Sequence, residues 1–184
     1  FGAALAAAAA DLMADLTPTQ LDKVMAANRR VALAANGDAE AIKALAEAGE
    51  LDHAQNAMLH WTSAMHLAAL LGNAEAIKAL AAAGASLDVS DVGMAQDGNI
   101  ARPLHTAAGV GHAEAIKALV AAGASLESQP GGTAKELTPL FMAATNGHAE
   151  AIKALLAAGA SPEAQADASN PDQRPLHVAA HKGH

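Results

Sequence analysis

Nine histidines are the side chains of this sequence best suited to bind a metal ion, since neutral imidazole is a common ligand of zinc and other transition metals. Six of them fall in two repeating columns: His66, His105 and His177, and His112, His148 and His184. Equivalent atoms of stacked repeats lie about 10 Å apart, whereas each zinc ligand lies about 2 Å from the ion. We therefore predict no metal site in either column and leave His53 and His60 as weak candidates.

Four acidic residues also recur at one position of the repeat: Asp52, Asp88, Glu127 and Glu163. Two interpretations are open, a solvated edge or a line of carboxylates that faces a basic partner. A separation of about 10 Å exceeds that of the carboxyl pairs used in glycoside hydrolysis. The sequence also lacks a phosphate-binding glycine loop and a nucleophile elbow. It predicts no catalytic residue and no cofactor.

The composition limits the classes of partner. With 52% hydrophobic residues the chain can bury a core, but most of these are alanines, and Phe1, Trp61 and Phe141 are the only aromatic residues. Such a core should be thin, with closely packed helices. The formal net charge of -8 disfavours nucleic acid and anionic membranes, which require clustered Lys and Arg. A neutral or basic protein is the better expectation, and the absence of cysteine excludes disulfides.

The elements that carry these columns repeat along the chain. The heptapeptide Ala-Glu-Ala-Ile-Lys-Ala-Leu begins at Ala39, Ala74, Ala113 and Ala149, which identifies a repeat protein. A glycine precedes each copy, and the glycines at 37, 72, 111, 147 and 183 are spaced 35, 39, 36 and 36 residues apart. The last glycine predicts that a fifth unit has begun where the sequence stops.

Each heptapeptide is predicted to begin an amphipathic helix of about three turns. Its buried stripe would contain Ile116, Leu119 and Val120, or Ile152, Leu155 and Leu156, and a glycine follows each helix at 49, 84, 123 and 159. A shorter helix is expected before each turn glycine, with proline in its first turn. Each unit is thus a short helix, a glycine turn, a longer helix and a loop.

The segments Arg102-Pro103-Leu104-His105, Thr138-Pro139-Leu140-Phe141 and Arg174-Pro175-Leu176-His177 resemble the Thr-Pro-Leu-His signature of ankyrin repeats. The Gly-His turns and the Gly-Ala helix ends are similar as well. The resemblance implies an all-α solenoid of stacked helix pairs with protruding hairpin loops, preceded by N-terminal capping helices. In the family the signature histidines bond neighbouring backbone and tie repeats together. Since Arg102 and Arg174 replace the capping Thr, we expect these two units to be less tightly capped.

The predicted organisation has two parts. Residues 1–29 form an N-terminal helical cap or docking segment, with a helix beginning near Pro18. Residues 30–184 form the repeats, at about 30–61, 62–100, 101–136, 137–172 and a truncated unit at 173–184. The first residue is not Met, so removal of a targeting segment is compatible with the sequence. An intracellular location is the default expectation, and an organelle is compatible with it.

By resemblance, partners touch the loops and the exposed residues of the short helices. These positions are Trp61, Thr62, Leu70, Leu71, Ala101, Val110, Leu137, Thr145 and Asn146. Adjacent Leu70 and Leu71 stand out, although one of them could belong to the core. The function predicted first is a non-catalytic scaffold for a protein partner within a larger assembly. The alternative is a regulatory module of a longer protein whose enzymatic domain lies elsewhere.

Overall fold

The computed structural model describes residue 26 and residues 29–49, 63–88, 102–127, 138–163 and 174–184. Regular secondary structure in these ranges is entirely helical. The helices are α1 (residues 29–35), α2 (Ala39–Glu47), α3 (Ala64–Leu71), α4 (Ala74–Ala82), α5 (Pro103–Val110), α6 (Ala113–Ala121), α7 (Pro139–Thr145), α8 (Ala149–Ala157) and α9 (Pro175–Lys182). The predicted alternation of shorter and longer helices is confirmed. The predicted hairpin loops, and the predicted N-terminal segment 1–29 apart from residues 26 and 29, lie outside the described residues.

A glycine turn joins the two helices of each unit. Gly72 and Gly111 adopt φ values of 72° and 91°, a left-handed conformation that side chains with a Cβ disfavour. The chain thereby reverses, and α3 packs against α4 as α5 does against α6. Spacing of glycines in the sequence correctly located these turns.

The units stack in chain order. The short helices α3, α5, α7 and α9 each pack on the next, and so do the long helices α2, α4, α6 and α8. Alanines at the contacts, such as Ala68, Ala107 and Ala143, have no exposed surface, so the backbones can approach closely. Leu80, Ile116 and Leu119 are also fully buried. Burial of one such side chain contributes about 1.5–3 kcal/mol, so each unit depends on its neighbours.

One part of the predicted buried stripe is wrong. Leu155 is fully buried, but Leu156 is 42% exposed. The equivalent Val120 is half-buried because the next long helix, α8, packs against α6. In the described part of the chain, no further long helix packs against α8 in the same way.

The first residues of the short helices confirm the expected difference in capping. The hydroxyls of Ser63 and Thr138 accept hydrogen bonds from the backbone N–H groups of His66 and Phe141. Arg102 and Arg174 make no side-chain cap, because a guanidinium has no acceptor atom. The short helices α5 and α9 therefore begin without this bond.

Candidate protein-interaction surface

Exposed residues precede the turn glycines at equivalent positions of successive units: Asn36, Leu71, Val110, Asn146 and Lys182. Three of them lie in the middle of the stack. Leu71 and Val110 are 52% and 42% exposed, and Asn146 is exposed as well. They end, or directly follow, α3, α5 and α7, which pack side by side. Equivalent positions on stacked helices lie about 10 Å apart, so these side chains form a row. We call Leu71, Val110 and Asn146 the turn row.

The residues just before the turn row are less accessible. Leu70 and Thr145 are half-buried, and the glycine at 109 leaves room for the Met142 methyl group, which lies 3.2 Å from where a Cβ would stand. Of the two adjacent leucines, Leu71 is therefore the one that faces solvent. The remaining predicted contact residues, Trp61, Thr62, Ala101 and Leu137, lie outside the described residues.

The short helices under the turn row are uncharged. Helices α3, α5 and α7 contain no Asp, Glu, Lys or Arg, and their histidines, His66 and His105, are buried. Covering such a surface requires no desolvation of charged groups, which is the costly part of burial. The surface can therefore contribute binding free energy through apolar contact.

Side chains of each following unit hold the ends of the short helices. His112 donates from Nε2 to the carbonyl oxygen of Leu70 at 3.1 Å, and His148 donates to that of Gly109 at 3.0 Å. Asn146 Nδ2 also donates to the Gly109 carbonyl, at 2.8 Å. Because a carbonyl oxygen only accepts, Nε2 of both histidines must carry a proton. These bonds fix the backbone next to Leu71 and Val110.

The two histidine columns have different environments. Within the signature column, His66 and His105 are buried, and His66 Nδ1 is hydrogen-bonded to Ser63 Oγ at 2.9 Å. His177 is exposed. The hydrogen bonds of His112 and His148, in the second column, join one unit to the next. In the sequence, only the recurring Gly-His pair pointed to a structural role for the second column.

Among the described residues, no group of three or more His, Cys, Asp or Glu side chains could hold a metal ion. His53 and His60, the weak candidates, lie outside these ranges. The residues of the turn row offer no nucleophile and no titratable group. The chemistry available to this surface is therefore non-covalent contact.

The recurring acidic residues Asp88, Glu127 and Glu163 are exposed to solvent, as the solvated-edge interpretation expects, and each is also bonded within the protein. Asp88 pairs with Arg102 at 3.5 Å, and Glu163 pairs with Arg174 at 2.7 Å. Glu127 Oε1 accepts a hydrogen bond from the backbone N–H of Ser161 at 2.7 Å. These three carboxylates are therefore both solvent-exposed and bonded within the protein, and a line of carboxylates that faces a basic partner stays a prediction. Asp52 lies outside the described residues.

The long helices present a separate, charged surface. Lys78, Lys117 and Lys153 each donate to the glutamate three residues earlier, with an Nζ to Oε1 distance of 2.7 Å. Hydrogen bonding from Lys117 and then its charge lower the pKa of Glu114, and Glu114 correspondingly raises the pKa of Lys117. These charges are satisfied by one another on the helix surface.

Comparison with known families agrees with the stacked units. The model of the family described as ankyrin repeats (3 copies) matches residues 30–130 and again residues 104–184. The chain belongs to the ankyrin-repeat family. Ankyrin repeats are generally protein-protein interaction modules, typically without catalytic activity, so protein partners are implied here. A search among curated proteins found no match.

In the ankyrin repeats of this chain, the turn row is a candidate surface for contact with a partner. The described helices include none long and apolar enough to cross a lipid bilayer. The long-helix surface carries its own ion pairs, whereas the turn row carries exposed apolar groups without charges. This contrast between the two surfaces distinguishes a candidate binding face from a solvated one.

Proposed function

We propose that this protein is a non-catalytic scaffold that binds a protein partner through its short-helix face and the adjoining loops, as a subunit of a larger assembly. The observation that carries the proposal is the exposure of Leu71 and Val110, 52% and 42%, at equivalent positions of two stacked ankyrin units. Exposed apolar groups that lie together typically mark a contact surface. The remaining predicted residues, Trp61, Thr62, Leu70, Ala101, Leu137, Thr145 and Asn146, are proposed to extend it.

The charge distribution supports a neutral or basic partner. The loop segments 50–62, 89–101, 128–137 and 164–173 contain seven acidic residues and one lysine, which accounts for most of the net charge of -8. The short helices between them are uncharged. A partner with an apolar contact and flanking basic groups would be attracted at a distance and then desolvated at low cost.

The proposal is tested by comparing which proteins are captured by matched variants. Leu71→Asp and Val110→Asp each place a charge in the turn row. Leu156→Asp is the control, because Leu156 is 42% exposed like Val110 but lies on the long helix α8. We expect the first two variants to lose proteins that wild type and Leu156→Asp both retain, with unchanged circular dichroism.

If Leu71→Asp and Val110→Asp capture the same proteins as wild type and Leu156→Asp, the proposed surface is contradicted. A loss that also occurs with Leu156→Asp would contradict it equally, since the effect would then follow from added charge anywhere on the protein. Reconstitution of the captured protein with purified chain tests whether the contact is direct.

A further inference from the structure

The short helices α3, α5, α7 and α9 follow two kinds of residue in alternation. Ser63 precedes α3 and Thr138 precedes α7, and both accept a bond from the first turn. Arg102 precedes α5 and Arg174 precedes α9, and neither can do so. Substituting a good capping residue typically lowers stability. An arginine at this position therefore calls for a compensating role.

Both arginines have the same kind of partner. The side chain of Arg102 is 25% exposed and pairs with Asp88, and that of Arg174 is 39% exposed and pairs with Glu163. A cation at a helix N-terminus is opposed by the helix dipole, whereas an anion there is favoured. The carboxylate thus offsets the unfavourable position of the guanidinium.

Each ion pair joins the two described residues that flank one connecting segment. Asp88 and Arg102 flank residues 89–101, and Glu163 and Arg174 flank residues 164–173. The loop 128–137 differs, because Thr138 takes the place of the arginine and Glu127 accepts a bond from Ser161 of the following unit. Among the described residues, an ion pair joins the two ends of segments 89–101 and 164–173, and segment 128–137 serves as a matched comparison with Thr138 at its end.

We propose that Arg102 and Arg174 are positioning residues that fix the bases of the loops 89–101 and 164–173, at the expense of a helix cap. Only the use of these loops for partner contact rests on the proposed function. The ion pairs are half-exposed, and the Debye length is about 8 Å at physiological ionic strength. Order at the two loop bases is consequently sensitive to salt.

The variant Arg102→Thr separates the effect of the ion pair on the segment 89–101 from the effect of the missing cap on α5. Threonine at this position can cap α5 as Thr138 caps α7, while the pair with Asp88 is lost. We expect amide hydrogen exchange in residues 87–101 to become about two- to fivefold faster, as expected for loss of a partly exposed ion pair. Exchange in α5 should stay equal or become slower. Asp88→Asn should also make amide exchange in residues 87–101 faster, but it should not slow exchange in α5.

The reciprocal variant Thr138→Arg introduces an arginine opposite Glu127. We expect slower exchange in residues 128–137 and faster exchange at the Ser161 amide, whose acceptor is diverted. In the wild-type protein, high salt should accelerate amide exchange in residues 87–101 as Arg102→Thr does. In Arg102→Thr itself, high salt should change this exchange little. Limited proteolysis of the same proteins gives an independent measure of loop opening.

Unchanged exchange in residues 87–101 of Arg102→Thr would overturn the proposal. Parallel acceleration of the loop and α5 would overturn it too, because the arginine would then be a general stabiliser of its unit. None of these measurements requires a partner. Failure here is therefore distinguishable from failure of the capture experiment.

Discussion

At the scale of single residues, the hydroxyl of Thr138 shows what one cap contributes. It accepts the Phe141 N–H at 3.2 Å in a buried environment. Thr138→Ala leaves that donor without an acceptor, and we expect a loss of about 1 kcal/mol in the free energy of unfolding. Urea denaturation measures it.

Thr106→Ala is the matched control for the capping prediction. Its hydroxyl donates to the carbonyl of Arg102, the N-cap residue, at 3.4 Å, and so accepts no backbone N–H of the first turn. We expect this variant to change the free energy of unfolding by less than about 0.5 kcal/mol. Equal losses in the two variants would mean that the cap has no special role.

Residue types predicted some of these roles and missed others. The replacement of the capping threonine by Arg102 and Arg174 correctly predicted weaker caps. The pairing of those arginines with Asp88 and Glu163 was not predictable, because it depends on how the loop returns to the next helix. The solvated position of the acidic residues agreed with the sequence, but their bonds within the protein were not predictable, since sequence shows charge but not proximity.

At the scale of elements, Gly72 and Gly84 form a matched pair. Both have positive φ, 72° and 91°, but a Cβ at Gly72 would lie 2.7 Å from the ring of His112, whereas a Cβ at Gly84 would meet nothing within 4 Å. Alanine at either position incurs backbone strain of order 1 kcal/mol or more. Gly72→Ala should additionally weaken the His112 bond to Leu70.

We expect Gly72→Ala to be less stable than Gly84→Ala by about 1 kcal/mol, the typical contribution of a hydrogen bond. Thermal and urea unfolding of the two variants checks the difference. Equal stability would show that backbone strain alone matters at these turns and that the histidine contact contributes nothing.

The long helices predict a dependence of stability on pH. Hydrogen bonds from Lys117 and Lys153, followed by their charges, lower the pKa values of Glu114 and Glu150. Their stabilising contribution is complete above the ordinary glutamate pKa of about 4.3 and is lost as pH falls through the lower pKa values of the folded state. Glutamine at both positions should remove this part of the acid sensitivity.

The melting temperature of Glu114→Gln/Glu150→Gln should consequently fall less steeply than that of wild type between about pH 5 and pH 3. Added salt should reduce the difference, because these groups are on the surface. Identical slopes at low salt would show that the pairs do not contribute to folding.

The helices themselves were the most predictable part of the structure. Repetition of one heptapeptide and the glycines around it located α2, α4, α6 and α8 and their ends, because helix periodicity and termination are local properties. Leu156 was wrongly assigned to the core, because burial depends on the neighbouring unit. For the candidate site, the family resemblance named Leu71 and Val110, but only the structure distinguishes exposed Leu71 from half-buried Leu70.

At the scale of the whole molecule, the main contacts join helices of the same unit or of adjacent units. Stability of such a stack is approximately the sum of the units and their interfaces. This arrangement also determines the turn row, because equivalent residues of successive units are brought to one face at a regular spacing. The proposed binding surface therefore depends on a regular row of units.

Distances between spin labels on the long helices test the regular stacking of the units most directly. Lys43, Lys78, Lys117 and Lys153 occupy the same position of the heptapeptide and are exposed, and the chain has no native cysteine that would compete for labelling. With about 10 Å per unit, electron paramagnetic resonance should give roughly 20 Å for the pairs 43/117 and 78/153 and roughly 30 Å for the pair 43/153. A 43/153 distance equal to or shorter than the other two would contradict the stacked row.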